Sequence, residues 1–188
     1  MTLDDFYSFA GVPLPEIVRQ MHRKQLSSEA TEQFVNDFLA AKQAAHVRHE
    51  SSRGHPAAID CVVELAREAA GRGVPVCIAT SGLRSHVEAH LSAAHLDDLF
   101  NAQKGNIVCA ADVPHGKPAP DIFIEAARRI GVAPSRCRAF EDGESGLQAA
   151  YAAGCHVIDV TFMDRYPMVE GLRQTKKRDY AERMWHCS

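Results

Sequence analysis

The chain has 188 residues, of which 46% are hydrophobic and 24% charged, and its formal net charge is −3 at pH 7. This length suits one large domain, or one domain with a small second one, and the hydrophobic content suffices for a buried core. The balanced charge gives no electrostatic footprint for nucleic acid, and no apolar run approaches a membrane span. We therefore expect a globular protein that binds neither nucleic acid nor a membrane.

The cysteines and the N-terminal residues indicate a cytoplasmic location. None of the six cysteines forms a C-x-x-C pair, and four lie in or beside apolar, strand-like runs. Buried, reduced thiols are typical of a reducing compartment. Asp4 and Asp5 interrupt the position where a signal peptide would need apolar residues.

Residues 1–55 are predicted to be helical. Pro13 and Pro15 favour the start of a helix that runs through about Leu26. Ser27-Ser28 can cap a second helix that runs to about His49. No strand signal occurs in this part, and the segment 51–56, SSRGHP, has the composition of a linker.

From residue 57 onward, apolar runs alternate between the period of a helix and that of a buried strand. We predict helices at 57–70, 84–95, 121–130 and 145–153, and strands at 74–79, 106–110, 137–141 and 156–160. Strands that alternate with helices predict a parallel α/β sheet with right-handed crossovers. Such sheets bind ligands at the carboxyl ends of their strands.

Polar residues occur at three of these strand ends or in the loops after them. The run VPVCIATSG ends in Thr80-Ser81-Gly82, GKPAPDIF places Lys117 just before a helix, and Glu141-Asp142 follows the strand ending at Phe140. Two adjacent carboxylates form a hard-oxygen site suited to Mg²⁺. Taken alone, the acidic pair is equally compatible with a solvated turn.

Together these motifs resemble the haloacid dehalogenase-like (HAD) hydrolase superfamily. Thr80 stands where the second motif of that family has its Thr or Ser, Lys117 where the third has its Lys, and Glu141-Asp142 where the fourth has its acidic pair. The order, spacing and flanks agree over residues 56–162. The motif sequences GKPAPDIF and FED…G…A…AG are most similar to those of the β-phosphoglucomutase and sugar-phosphate phosphatase branch.

The resemblance implies a Rossmann-like core at 56–188 and a Mg²⁺-dependent phosphatase or phosphomutase that acts on a small phosphorylated metabolite through an aspartyl phosphate. The Thr80 hydroxyl and the backbone N–H groups of Ser81 and Gly82 would bind phosphoryl oxygens. Lys117 would add a positive charge. Asp142 would hold Mg²⁺, with Glu141 acting directly or through water.

The resemblance also implies that residues 1–55 are part of a small helical cap over the active site. Lys42 lies where the phosphoglucomutase branch has a substrate-binding Lys, although a solvated helix Lys is the alternative. Leu14 stands where some sugar-phosphate members have an Arg, so a second phosphate would lack that clamp.

The nucleophile motif of the family, a strand ending in Asp-x-Asp, has no counterpart in this sequence. Asp4 is preceded by only three residues, too few for a buried strand, and Phe6 stands two positions after it. We therefore predict that this chain, as given, is inactive.

The family's first strand lies between those ending at Thr80 and Glu141. Without it these two strands pair directly, another segment fills the gap, or the chain is unstable alone.

Three interpretations remain open from the sequence. The chain is a truncated Mg²⁺-dependent sugar-phosphate phosphatase or phosphomutase, which is the interpretation we favour. Alternatively it is a non-catalytic relative that serves as a phosphate-binding or interaction module. The third possibility is an unrelated α/β protein with its own chemistry.

Overall fold

The structure is a computed structural model, and it describes residues 14–53, 55 and 57–167. Elements are named here in chain order. The helices are α1 (Leu14–Leu26), α2 (Glu32–Arg53), α3 (Asp60–Gly71), α4 (Arg84–Ala93), α5 (Asp121–Arg129) and α6 (Glu144–Ala152). The strands are β1 (Ile78–Thr80), β2 (Ile107–Cys109), β3 (Arg138–Glu141) and β4 (His156–Asp159). Short 3₁₀ turns follow β2 and β4, and another precedes β3.

The four strands form two parallel pairs. Strand β1 pairs with β2, with Ile78 opposite Ile107, and β3 pairs with β4, with Arg138 opposite His156. Within the described part of the chain β1 and β3 do not pair with each other. Direct pairing of β1 with β3 was the first of the three outcomes expected for a missing central strand. The structure does not show it.

One apolar core nevertheless joins the two strand pairs. Val108 of β2 and Ala139 of β3 belong to the same buried cluster, together with Ile122 of α5 and Ala149 of α6. Helices α5 and α6 pack against each other and so bridge the two pairs from one face. The α/β Rossmann-like fold predicted from the sequence is thus present, with parallel strands and intervening helices.

Strand β2 pairs only with β1 among the described strands, and it is buried on both faces. Val108 points into the α5–α6 core, whereas Ile107 and Cys109 pack into a second cluster around Leu91 of α4. This alternation follows from the two-residue repeat of a strand. It explains why the sequence of β2 is continuously apolar rather than alternating.

Helices α1 and α2 pack against each other through Val18 and Val35, which are almost fully buried. The predicted capping residue is wrong, since Ser27-Ser28 precede the start of α2 by several residues. Thr31 performs the capping, and its hydroxyl oxygen accepts a hydrogen bond of 3.2 Å from the Phe34 N–H. Ser27 instead adopts a positive φ of 52° and ends α1.

Two other predicted boundaries differ from the structure. Helix α2 continues to Arg53, so half of the segment predicted as a linker is helical. Of the run predicted as the strand 74–79, only Ile78 and Ala79 lie in β1, which continues to Thr80. Val74 hydrogen-bonds to the Ala69 carbonyl at the end of α3, so this part of the run serves the helix rather than the sheet.

Across the described residues no helix is both long enough and apolar enough to cross a bilayer. The predictions made for Asp4, Asp5 and the segment that precedes Leu14 concern residues outside the described part.

Candidate active site

The ends of β1 and β3 and the loop that carries Lys117 meet around one cavity of about 310 Å³. Its polar lining consists of Thr80, Lys117, Glu141, Asp142 and Tyr166. Apolar side chains from α3 and the residue before it, from the two strands and from the turn after β4 complete it, namely Ile59, Val62, Ala79, Phe140 and Val160. The sheet therefore brings the predicted motif residues together at its carboxyl edge, as parallel strands should.

Thr80 is the last residue of β1, and its hydroxyl organises the turn that follows. The Gly82 N–H donates a hydrogen bond of 3.1 Å to Thr80 Oγ1. A Cβ at Gly82 would lie 3.3 Å from both that oxygen and Val87, so the tight turn suits glycine. The Gly82 N–H, expected to bind a phosphoryl oxygen, is thus engaged within the turn, and neither Ser81 nor Gly82 lines the cavity.

Lys117 crosses from its loop to the other two motifs. Its ammonium donates to the Ala79 carbonyl at 3.2 Å and contacts the Glu141 carboxylate. It also lies 5.0 Å from the centre of the Phe123 ring, within range of a cation–π contact. The Lys117–Pro118 peptide bond is cis. Lys117 therefore ties the end of β1 to the end of β3.

Glu141 turns back onto α6 instead of facing solvent. Its second carboxylate oxygen accepts a hydrogen bond of 3.2 Å from the Asp142 N–H. A methyl group on Gly146 would overlap the Glu141 carboxylate, so only glycine leaves room for it on the first turn of α6. Gly154 ends α6 with a positive φ of 82°.

Asp142 is exposed, and its Oδ2 accepts a hydrogen bond of 2.8 Å from the Tyr166 hydroxyl. Burial, reinforced by this carboxylate, raises the pKa of the Tyr166 phenol above its ordinary value. Sequence reasoning did not identify Tyr166 as a site residue. No motif surrounds it, and only the turn after β4 places it in the cavity.

The donor set of the cavity fits a Mg²⁺ ion held partly by water. Mg²⁺ keeps several water ligands and is commonly bound by one or two carboxylates together with substrate phosphate. Asp142 can supply one such carboxylate, while Glu141 is engaged by Lys117. The described residues contain no group of three or more acidic, His or Cys side chains arranged for a metal. Asp142 is thus the carboxylate of the cavity that would hold such a cation.

Lys42 lies apart from this arrangement. It is an exposed residue of α2 and does not line the cavity. Leu14 begins α1, and its side chain lies outside the described part.

The family model described as haloacid dehalogenase-like hydrolase matches residues 2–154. The chain belongs to this family. The match contains the motif residues Thr80, Lys117 and Glu141-Asp142, and it ends before Tyr166.

Two curated relatives show the level of similarity. The protein CbbY of Rhodobacter capsulatus is 34% identical over 141 residues, which are 73% of this chain and 60% of the relative. Fructose-1-phosphate phosphatase YqaB of Escherichia coli (strain K12) is 40% identical over 89 residues, 47% of this chain and 45% of the relative. The chain thus spans about half the length of these two relatives.

Two solved structures have the same fold. A HAD hydrolase of family IA, variant 3, from Entamoeba histolytica HM-1:IMSS has a TM-score of 0.70 at 25% identity, and the match covers 93% of this chain and 74% of that one. A CbbY variant from Rhodobacter sphaeroides, in complex with xylulose-(1,5)bisphosphate, has a TM-score of 0.62 at 27% identity. The match covers 78% of this chain and 64% of the other.

Proposed function

We propose that this chain carries the phosphate- and cation-binding part of a Mg²⁺-dependent phosphatase for a small phosphorylated metabolite of the sugar-phosphate class. One observation carries the proposal: Thr80, Lys117 and Asp142, from three separate motifs, line a single cavity at the carboxyl edge of the sheet. Fructose-1-phosphate and xylulose-(1,5)bisphosphate, named for two of the similar proteins, support the substrate class.

Each residue has a role in this proposal. The Thr80 hydroxyl hydrogen-bonds a phosphoryl oxygen at the end of β1. The Lys117 ammonium offsets negative charge on the phosphoryl group, and such charge stabilisation is a large part of phosphoryl-transfer catalysis. Asp142 is the carboxylate that holds Mg²⁺, and a bound Mg²⁺ would add positive charge beside the same group. Helices α1 and α2 belong to a cap layer, which we propose is separate from the core that begins near residue 56.

The nucleophile is the part that this proposal lacks. The 188 residues contain no Asp-x-Asp sequence. Glu141 is engaged by Lys117, and Asp142 is the proposed cation ligand. The 188-residue chain should therefore bind phosphate and Mg²⁺ without turnover, since positioning of a nucleophile at near-attack distance carries much of the rate. A non-catalytic phosphate-binding module is the second candidate function, and the same absence of Asp-x-Asp favours it.

The test is the purified chain with Mg²⁺, a panel of sugar phosphates and a generic aryl phosphate. We expect binding of inorganic phosphate, measured by calorimetry, and release of phosphate from no substrate above background. Turnover that disappears in Asp142→Ala would reveal a nucleophile elsewhere in the chain. Absence of both phosphate and Mg²⁺ binding would overturn the proposed site.

Fusion of an N-terminal segment with a strand that ends in Asp-x-Asp separates the two candidate functions. If the chain derives from a phosphatase, the fusion should turn over a sugar phosphate, because the added strand can pair with both β1 and β3. A fusion that folds, binds phosphate and stays inactive would favour the binding module.

A further inference from the structure

The turn after β4 reaches back over the acidic pair, and it is built from residues beyond the family match. The Tyr166 N–H donates to the Met163 carbonyl at 3.2 Å, which closes a tight turn. Within it Arg165 has a positive φ of 66°, a conformation that side chains other than glycine rarely adopt. A residue held there requires surrounding contacts that over-determine it.

Arg165 receives such a contact from α3. Both guanidinium Nη atoms face the Glu64 carboxylate, with Nη1 3.3 Å from Oε1 and Nη2 in contact with Oε2. A two-point pair of this kind restricts the orientation of the guanidinium as well as its position. Both side chains of this pair are exposed, so it orients the turn towards α3 without adding much stability. Val62 of α3 and Ile59, the residue before that helix, also line the cavity.

The other side of the turn ends at the cavity. Tyr166 is half-buried, lines the cavity with Thr80 and Lys117, and donates its hydroxyl hydrogen to Asp142 Oδ2 at 2.8 Å. Asp142 is an exposed side chain on the loop after β3. A hydrogen bond to one oxygen restricts rotation of the whole carboxylate group.

We propose that Tyr166 is a positioning residue, which holds the Asp142 carboxylate in the orientation that binds a divalent cation. This role rests on the proposed function, in which Asp142 is the cation ligand. Partners that orient a metal-binding carboxylate commonly change metal affinity by about 10- to 100-fold when they are removed. Glu64 and Arg165 act indirectly, because their ion pair orients the turn that carries Tyr166.

The experiment measures cation affinity instead of turnover. Binding of Mn²⁺, a hard divalent probe, is followed by the electron paramagnetic resonance signal of the free ion, and Mg²⁺ is used to displace it. The variants are Tyr166→Phe, which keeps the ring and removes the hydroxyl, and Asp142→Asn. Tyr151→Phe is the matched control, since it removes the same hydroxyl from a side chain that is 80% exposed on α6.

We expect Tyr166→Phe to weaken Mn²⁺ binding about tenfold, Asp142→Asn to abolish it, and Tyr151→Phe to leave it unchanged. Thermal melts run in parallel, because a merely structural role would lower the melting temperature of Tyr166→Phe and leave the affinity of its folded form as in the wild type. Unchanged or tighter Mn²⁺ binding by Tyr166→Phe, with Asp142→Asn inactive in binding, overturns the role of Tyr166 and leaves the cation site standing.

Two further outcomes are decisive. A wild-type chain that binds no Mn²⁺, or equal binding by wild type and Asp142→Asn, overturns the cation site and the role of Tyr166 with it. If Tyr166→Phe does not fold, Tyr166→Met removes the hydroxyl and keeps an apolar side chain in its place. A several-fold loss of affinity in this folded variant supports the proposal, and an unchanged affinity contradicts it.

Discussion

Lys117 and Glu141, which are 24 positions apart in the sequence, form an ion pair at the centre of the candidate site. Their side chains are only 10% and 12% exposed, so the pair is largely shielded from water. Removal of water from two charges is costly, and their mutual attraction with the added hydrogen bonds to Ala79 and Asp142 offsets that cost. The pair joins the loop before α5 to the end of β3.

Replacement of one partner should therefore cost more than replacement of both. We expect Lys117→Met to lower the free energy of unfolding by about 3–5 kcal/mol, because the Glu141 carboxylate is left buried and uncompensated. The double variant Lys117→Met/Glu141→Gln should regain a large part of that loss. Urea unfolding measures both values.

The control for these single and double variants is Glu29→Gln, which breaks the exposed ion pair between Arg23 and Glu29. It should change stability little, since exposed pairs contribute little. A double variant as unstable as Lys117→Met would contradict a direct interaction between Lys117 and Glu141.

A second prediction concerns Gly146. Because a Cβ at this position would overlap the Glu141 carboxylate, Gly146→Ala should displace Glu141 and destabilise the chain by about 1–3 kcal/mol, despite the better helix propensity of Ala. Gly71→Ala is the matched control, since Gly71 ends α3 and nothing lies within 4 Å of its added Cβ. Equal melting temperatures for the two variants would show that α6 has more room than the structure indicates.

A third prediction uses the pH dependence of stability. Hydrogen bonds from Arg128 and Arg129 lower the pKa of Glu125 from 4.5 to about 2. A carboxylate with a depressed pKa in the folded state stabilises the protein above its unfolded pKa, and that contribution is lost as the pH falls. Glu125→Gln should thus be less stable than wild type at pH 7. The difference should shrink as the pH falls from about 4.5 toward 2.

Urea unfolding at several pH values in this window checks the prediction. The ion pair between Glu125 and Arg129 also links α5 to β2, because Arg129 donates a hydrogen bond of 2.7 Å to the Ile107 carbonyl. A stability difference that stays constant from pH 7 to pH 3 would exclude the Glu125 ion pairs as its source.

A fourth prediction separates the two interpretations of Lys42. Inorganic phosphate can be held by the cavity alone, so Lys42→Met should leave its affinity unchanged, whereas Thr80→Val should weaken it. A sugar phosphate extends beyond the phosphoryl site, and its affinity should fall in Lys42→Met if this helix residue contacts the substrate. Calorimetric titration of both ligands measures the effect, and unchanged binding of both would identify Lys42 as a solvated helix residue.

Fold class and motif positions were predictable because they depend on local patterns. The continuous apolar run of β2 and the end of α6 at Gly154 depend only on residues within one element. The capping of α2 by Thr31, not by Ser27-Ser28, was not predictable in this way. Several hydroxyl residues precede that helix, and only the folded backbone places the Thr31 hydroxyl within hydrogen-bond distance of the Phe34 N–H.

The amino-acid sequence by itself determined that Thr80, Lys117 and Asp142 stand at strand ends or in the loops beside them, since alternation of apolar and polar residues marks where each element stops. Only the tertiary structure decided which groups contact each other. Lys117 forms its ion pair with Glu141, and Tyr166, 24 positions after Asp142, donates a hydrogen bond to it. Such contacts depend on how separate elements pack and on the backbone angles of one turn. The spacing of apolar residues within a single helix or strand encodes neither.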